Sequence, residues 1–153
     1  MGQQRPKIED TMMAVAVSMG ERSTCRRRRV GCVLVNGRNH ILATGYNGVA
    51  SGQTHCIDVA CQGANQPSGS GLDLCEAIHA EQNALLQCSD VYSIDTCFTT
   101  TSPCIQCVKL LLNTSCKTIV FGLDYSQQRP KELWLQAGRN WIHYSEVTKA
   151  LTG

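Results

Sequence analysis

Two short segments, far apart in the chain, carry donors that work together only if the fold makes them converge. His79-Ala80-Glu81 supplies an imidazole and a carboxylate, and Pro103-Cys104-Ile105-Gln106-Cys107 supplies two thiols. One ring nitrogen and two sulfurs suit Zn²⁺. Three protein ligands leave the fourth tetrahedral position to water, which separates a catalytic zinc from a structural one. Glu81 follows the histidine closely enough to reach a water there without being a ligand. A lone His-Ala-Glu means little, and a lone Cys-x-x-Cys fits a redox pair or half of a structural zinc site. The plain alternative is a core histidine and two buried cysteines. The proline before the cysteine pair and the offset of the glutamate are what narrow the choice.

The chain's 153 residues suit one domain with one core, residues 1–153. With 42% hydrophobic and 17% charged residues it reads as an ordinary soluble protein. A net charge of +2 is too small to argue for a nucleic-acid surface. No apolar run approaches the ~18 residues that span a bilayer, and the polar stretch from Met1 to Asp10 has no signal-peptide character. The cytoplasm is therefore the expected compartment. In such a reducing compartment, clustered members of the ten cysteines are expected to bind metal rather than pair as disulfides.

Along the chain, Ile8 to Gly20 has helical spacing of apolar residues and a terminal glycine. The loop Arg22-Ser23-Thr24-Cys25-Arg26-Arg27-Arg28-Arg29 is either a solvated face or, being fixed at both ends, a site for a mononucleotide phosphate. Val30 to Asn36 and His40 to Thr44 read as strands of a hairpin around Asn36-Gly37, both of which tolerate positive φ. Gly45-Tyr46-Asn47-Gly48 is a turn, or a loop that carries Asn47 to a ligand's sugar or base. Ser51 to Asp73 is too long for an ordinary loop. A second zinc, held by Cys25, Cys56, Cys61 and Cys75, would stitch it to the arginine loop, and His55 could replace any one of the four. Free buried thiols are the alternative. Helices are expected over Glu76 to Gln87, Cys104 to Asn113, Pro130 to Ala137 and Ser145 to Leu151, and strands over Thr96 to Thr101, Lys117 to Leu123 and Trp141 to Tyr144. Cys32, Cys88, Cys97 and Cys116 read as packing residues. The alternation calls for a sheet that is at least partly parallel, with helices on its faces and the ligands of two helix starts meeting at one edge.

His-x-Glu followed by Pro-Cys-x-x-Cys is the signature of zinc-dependent nucleobase deaminases. Together with Arg22-Ser23-Thr24-Cys25, Val30-Gly31, Gly45-Tyr46-Asn47-Gly48, Asn83-Ala84, Ser102 and Tyr125, it makes the chain resemble the deoxycytidylate (dCMP) deaminases of the cytidine deaminase superfamily. The resemblance implies a three-layer α/β/α fold with a mixed five-stranded sheet and helices on both faces. It implies a catalytic zinc on His79, Cys104 and Cys107, with Glu81 moving the protons. Ser23, Arg27, Asn47, Ala80, Thr101, Ser102 and Tyr125 would contact the nucleotide, the backbone near Thr101 and Ser102 accepting from the leaving amine. The second zinc is similar to that of microbial and phage members, in which a histidine commonly stands in the place of Cys61. The resemblance further implies a homohexamer activated by dCTP and inhibited by dTTP, with Asn47 and Gly48 in the regulator's pocket and Mg²⁺ on the triphosphate.

Three other readings compete. A zinc deaminase could act instead on cytidine, dCTP, a tRNA or a riboflavin precursor. A non-catalytic metal-binding regulator would have no use for Glu81. A nucleic-acid binder built on the arginines would show tight, salt-sensitive binding to oligonucleotides.

Overall fold

The computed structural model describes residues 4–25, 28–55, 58, 77–125 and 127–144. The terminal helix expected over 145–151 lies outside them, as do Arg26, Arg27, Cys56, Cys61, Cys75 and most of the 51–73 segment. The described elements are α1 (Ile8–Gly20), β1 (Gly31–Val35), β2 (Ile41–Tyr46), α2 (Ala80–Gln87), β3 (Thr96–Thr101), α3 (Ile105–Leu112), β4 (Thr118–Leu123), α4 (Gln128–Gln136) and β5 (Asn140–His143). Five strands form one sheet in the order β2-β1-β3-β4-β5. β1 runs antiparallel to β2 and β3, whereas β3, β4 and β5 run parallel. Parallel neighbours need crossovers, and α3 and α4 supply them.

Each face of the sheet has its own core, which makes the three layers. On one side α1 lays Met12, Met13 and Ala16 on Val33, Val35, Phe98 and Val120. On the other, α2, α3 and α4 bring Ala80, Ala84, Val108, Leu111 and Trp134 against Cys32, Leu34, Cys97, Ile119 and Phe121. The mixed, doubly covered sheet is the architecture expected from the alternation. Cys32, Cys97 and Cys116 are fully buried and Cys88 packs at the edge of the same core.

Two close approaches set the helices on the sheet. A side chain at Gly31 would put its Cβ 1.7 Å from the Ala16 carbonyl oxygen, so α1 touches the backbone of β1 there. At Gly45 a Cβ would lie 2.3 Å from the Ala80 carbonyl oxygen and 2.5 Å from the Ala84 nitrogen. Glycine in a strand interior here marks close backbone contact, and it fixes the start of α2.

Three local expectations change. The hairpin exists, but its positive φ belongs to Asn39 (63°) rather than to Asn36-Gly37. The Asn36 side chain accepts from the Arg38 and His40 amides at 2.9 and 3.0 Å, and such a side-chain turn does not need the glycine in the left-handed region. β2 runs on through Gly45 and Tyr46. α2 starts at Ala80 rather than Glu76, because Ile78 is extended and bridges Gly48 through two backbone hydrogen bonds of 2.7 and 3.1 Å. Sequence periodicity also missed Arg139. Its guanidinium donates to the carbonyls of Leu111, Leu112 and Cys116 at 3.2, 2.8 and 2.8 Å. It thus satisfies acceptors left open at the end of α3 and opposes the negative pole there.

Candidate active site

His79 and Cys104 occupy equivalent positions in two helices. Both are extended residues immediately before a helix, with ψ of 154° and 174°. The His79 amide donates to Gln82 Oε1 at 2.9 Å, which secures the start of α2. Cys107 lies one turn into α3, so its thiol falls on the side of Cys104. The Sγ atoms of Cys104 and Cys107 each lie 3.3 Å from His79 Nδ1, and one donor atom from each of the three residues lies within 4.8 Å of the other two. Tetrahedral zinc, with bonds of about 2.0–2.1 Å to nitrogen and about 2.3 Å to sulfur, asks for a nitrogen–sulfur separation of about 3.6 Å. The donors therefore fit that ion in chemistry and in spacing. Among the described residues no other three His, Cys, Asp or Glu side chains converge in this way.

The three donors also perturb one another electrostatically. The Cys104 thiol is held down to about 4, chiefly by a hydrogen bond from the Cys107 thiol and further by His79, against the opposing effect of burial. Pairing with Cys104, and burial, push the Cys107 thiol up. The hydrogen bond to Cys104 raises His79. A divalent cation would replace these shared protons, so binding releases them.

Glu81, in the first turn of α2, is only 4% exposed. Burial raises its pKa, while hydrogen bonds from Cys107 and Thr99 pull the other way. Its Oε1 accepts from the Thr99 hydroxyl at 2.8 Å. A buried carboxyl beside a metal-ligand cluster is able to take a proton and return it.

The expected nucleotide contacts take several positions. Ala80 and Thr101 are buried. Ser102, immediately before the Pro103-Cys104 turn, accepts the Tyr125 amide on its Oγ at 3.0 Å. Tyr125 is 38% exposed, and the Arg28 guanidinium lies over its ring at 3.9 Å. The charge of Arg28 is also felt at His79, so this arginine belongs to the site's surroundings rather than to a remote face. Asn47 is buried with its amide turned to the arginine loop: Oδ1 accepts from the Val30 amide and Nδ2 donates to the Arg28 carbonyl, both at 2.9 Å. Ser23 is buried and accepts the Cys25 amide. Gly48 pairs with Ile78, next to His79. Arg27 lies outside the described residues.

Of the second metal set, Cys25 is described and buried, and Cys56, Cys61 and Cys75 lie outside the described residues. His55 Nδ1 is 3.1 Å from Thr24 Oγ1, so the two loops meet beside Cys25.

Thr99 and Gly45 were not singled out from the sequence. Period-2 alternation along β3 does put Thr99 on the face of Cys97 and Thr101, and a glycine inside a strand is a signal of close approach. Neither signal says which element approaches.

A mixed sheet with a His-Cys-Cys cluster beside a buried glutamate fits the zinc-deaminase signature read from the sequence. Residues 6–123 match the cytidine and deoxycytidylate deaminase zinc-binding region, and the chain belongs to that family. It is 37% identical over 142 residues to the deoxycytidylate deaminase of Schizosaccharomyces pombe, covering 87% of this chain and 42% of that one. It is 34% identical over 124 residues to the deoxycytidylate deaminase of Mycobacterium phage D29, covering 76% of this chain and 95% of the phage enzyme. The crystal structure of dCMP deaminase from the cyanophage S-TIM5 in complex with dCMP and dUMP superposes with a TM-score of 0.73 at 28% identity, over 93% of this chain and 100% of that one. The chain thus spans less than half of the yeast relative and nearly all of the phage ones. Among the described residues no helix is long and apolar enough to cross a membrane.

Proposed function

We propose that this chain deaminates dCMP by hydrolysis, giving dUMP and ammonia. The observation that carries the reading is the convergence of His79, Cys104 and Cys107 beside the buried carboxyl of Glu81. When bound by these three residues, zinc supplies the Lewis acidity that makes water a nucleophile near neutral pH. Glu81 takes the proton of the attacking water and delivers it to ring N3 as C4 becomes tetrahedral. The same carboxyl then carries the proton of the new C4 hydroxyl to the amino group, which leaves as ammonia as the C4 carbonyl forms. Burial raises the pKa of Glu81, which is the direction that helps one carboxyl serve both steps. The backbone at Thr101 and Ser102 receives the amine, and Ala80 lies against the ring.

The arginine loop takes the 5′-phosphate. Arg28 is held by its carbonyl on Asn47 and by its guanidinium on Tyr125, which supports Asn47 and Tyr125 as shapers of that end of the site, alongside Ser23 and Arg27. The dUMP formed would feed thymidylate synthesis in the cytoplasm, with residues 1–153 as a single domain. The second zinc, on Cys25, Cys56, Cys61 and Cys75, draws support from the meeting of His55 and Thr24 beside Cys25. Activation by dCTP with Mg²⁺, inhibition by dTTP and a homohexamer follow from the family resemblance, with Asn47 and Gly48 in the regulator's pocket. A ligand at Gly48 would act one backbone bridge away from His79.

The test is ammonia release from dCMP, deoxycytidine and dCTP, each with and without dCTP as effector, on protein of measured zinc content. The reading expects dCMP to be turned over in preference to both others. Equal turnover of deoxycytidine would remove the phosphate site, and no turnover of any substrate by zinc-loaded protein would overturn the reading.

A further inference from the structure

We infer that Thr99 is a positioning residue for Glu81: its hydroxyl, shared with the Thr101 carbonyl at the end of β3, aims the proton-carrying carboxyl. The inference rests on the function proposed above.

Thr99 sits mid-sheet, paired with Cys32 of β1 and Phe121 of β4, and is fully buried. Its backbone is held from both sides, and a β-branched side chain has little χ1 freedom. The hydroxyl is therefore among the best-fixed polar groups near the site. It lies 2.8 Å from Glu81 Oε1 and 3.0 Å from the Thr101 carbonyl oxygen. A hydroxyl owns one proton and two lone pairs. It gives that proton to one of the two oxygens at a time, so the carboxyl and the carbonyl share a single donor.

Glu81 is the opposite kind of side chain. It has three rotatable bonds and is buried, so its orientation depends on the few groups around it. Besides Thr99, its carboxyl meets the Cys107 thiol, which a bound cation would claim. With the metal in place, Thr99 becomes the partner that keeps one carboxyl oxygen on the sheet and leaves the other to face the reacting water. The neighbouring Thr100 provides the comparison. It is equally buried, but its hydroxyl accepts the Gly31 amide at 3.1 Å on the α1 side of the sheet.

The experiment uses the zinc-loaded full chain with dCMP. Thr99→Val keeps the shape and removes the hydroxyl. By the usual size of a hydrogen bond to a charged group, kcat should fall about 10- to 100-fold. KM should stay within about threefold, because the contact is to the catalyst and not to substrate. Zinc per chain should be unchanged, and Thr99→Ser should recover most of the turnover. Thr100→Val should lower stability and leave kcat within about twofold. In infrared difference spectra, the carboxyl band lost in Glu81→Gln should shift in Thr99→Val. The inference is overturned by a Thr99→Val kcat within about twofold of the parent. It is also overturned by a loss that follows zinc content, by a loss matched in Thr100→Val, or by no recovery with serine. A parent chain inactive on dCMP would instead overturn the proposed function. The band then decides the inference, since an unmoved band means that Thr99 does not hold the carboxyl.

Discussion

The two faces of the sheet are built from the same strands and do different work. Under α1 the contacts are apolar, Met12, Met13, Ala16, Val33, Val35, Phe98 and Val120, and the two hydroxyls on that side of β3 are used locally, Thr96 on the Asp95 carboxylate and Thr100 on the Gly31 amide. Under α2 and α3 the apolar core is interrupted by a buried carboxyl, a buried hydroxyl and a cluster of soft donors. Burying such groups is costly unless each finds a partner. Each does, in Thr99, Cys107, Cys104 and His79. Both faces thus carry an apolar core, and the reactive groups are set into only one of them.

Substitutions should separate the two roles. The largest effect belongs to Glu81→Gln, which should lose about 10²-fold or more in turnover of dCMP while retaining zinc, by the usual size of general acid–base catalysis. Steady-state kinetics with metal analysis checks it. Met13→Ala on the opposite face should cost about 2–5 kcal/mol of stability in urea unfolding, with turnover per folded molecule unchanged. Arg139→Ala should cost about 1–3 kcal/mol, since it strands carbonyls at the end of α3 that are partly sheltered from water. If turnover falls with it, the Cys104–Cys107 end of α3 moves when its other end frays.

The smallest effect is a pH dependence. Burial raises Glu81 above its unfolded value. A group of that kind contributes most to stability below the unfolded carboxylate value of about 4.3 and loses that contribution as pH rises through the folded value. Metal-free Glu81→Gln should therefore gain stability relative to the metal-free parent as pH is raised, read as diverging urea midpoints. Parallel midpoints would mean that the carboxyl is better solvated than its burial implies.

What was legible in the sequence is what is local. His79, Glu81, Cys104 and Cys107 lie in short motifs whose spacing is set by one helix turn, and the alternation of strands and helices carries the mixed sheet. Thr99 was hidden because Thr99-Thr100-Thr101 reads as plain strand, and only the docking of α2 distinguishes one hydroxyl from the next. Gly45 passed as part of a turn, since the reason for it is a helix that begins 35 residues later. The start of α2 was misjudged because a bridge from Ile78 to Gly48 outweighs helical propensity in the residues before it. Long-range packing decides such positions, and periodicity does not see it.

The most direct test of the account is the mass of the product formed from dCMP in ¹⁸O-labelled water by the zinc-loaded chain. The account predicts dUMP carrying one heavy oxygen at C4, with none formed by His79→Ala protein. Unlabelled dUMP, or dCMP recovered unchanged from the zinc-loaded parent, would contradict it.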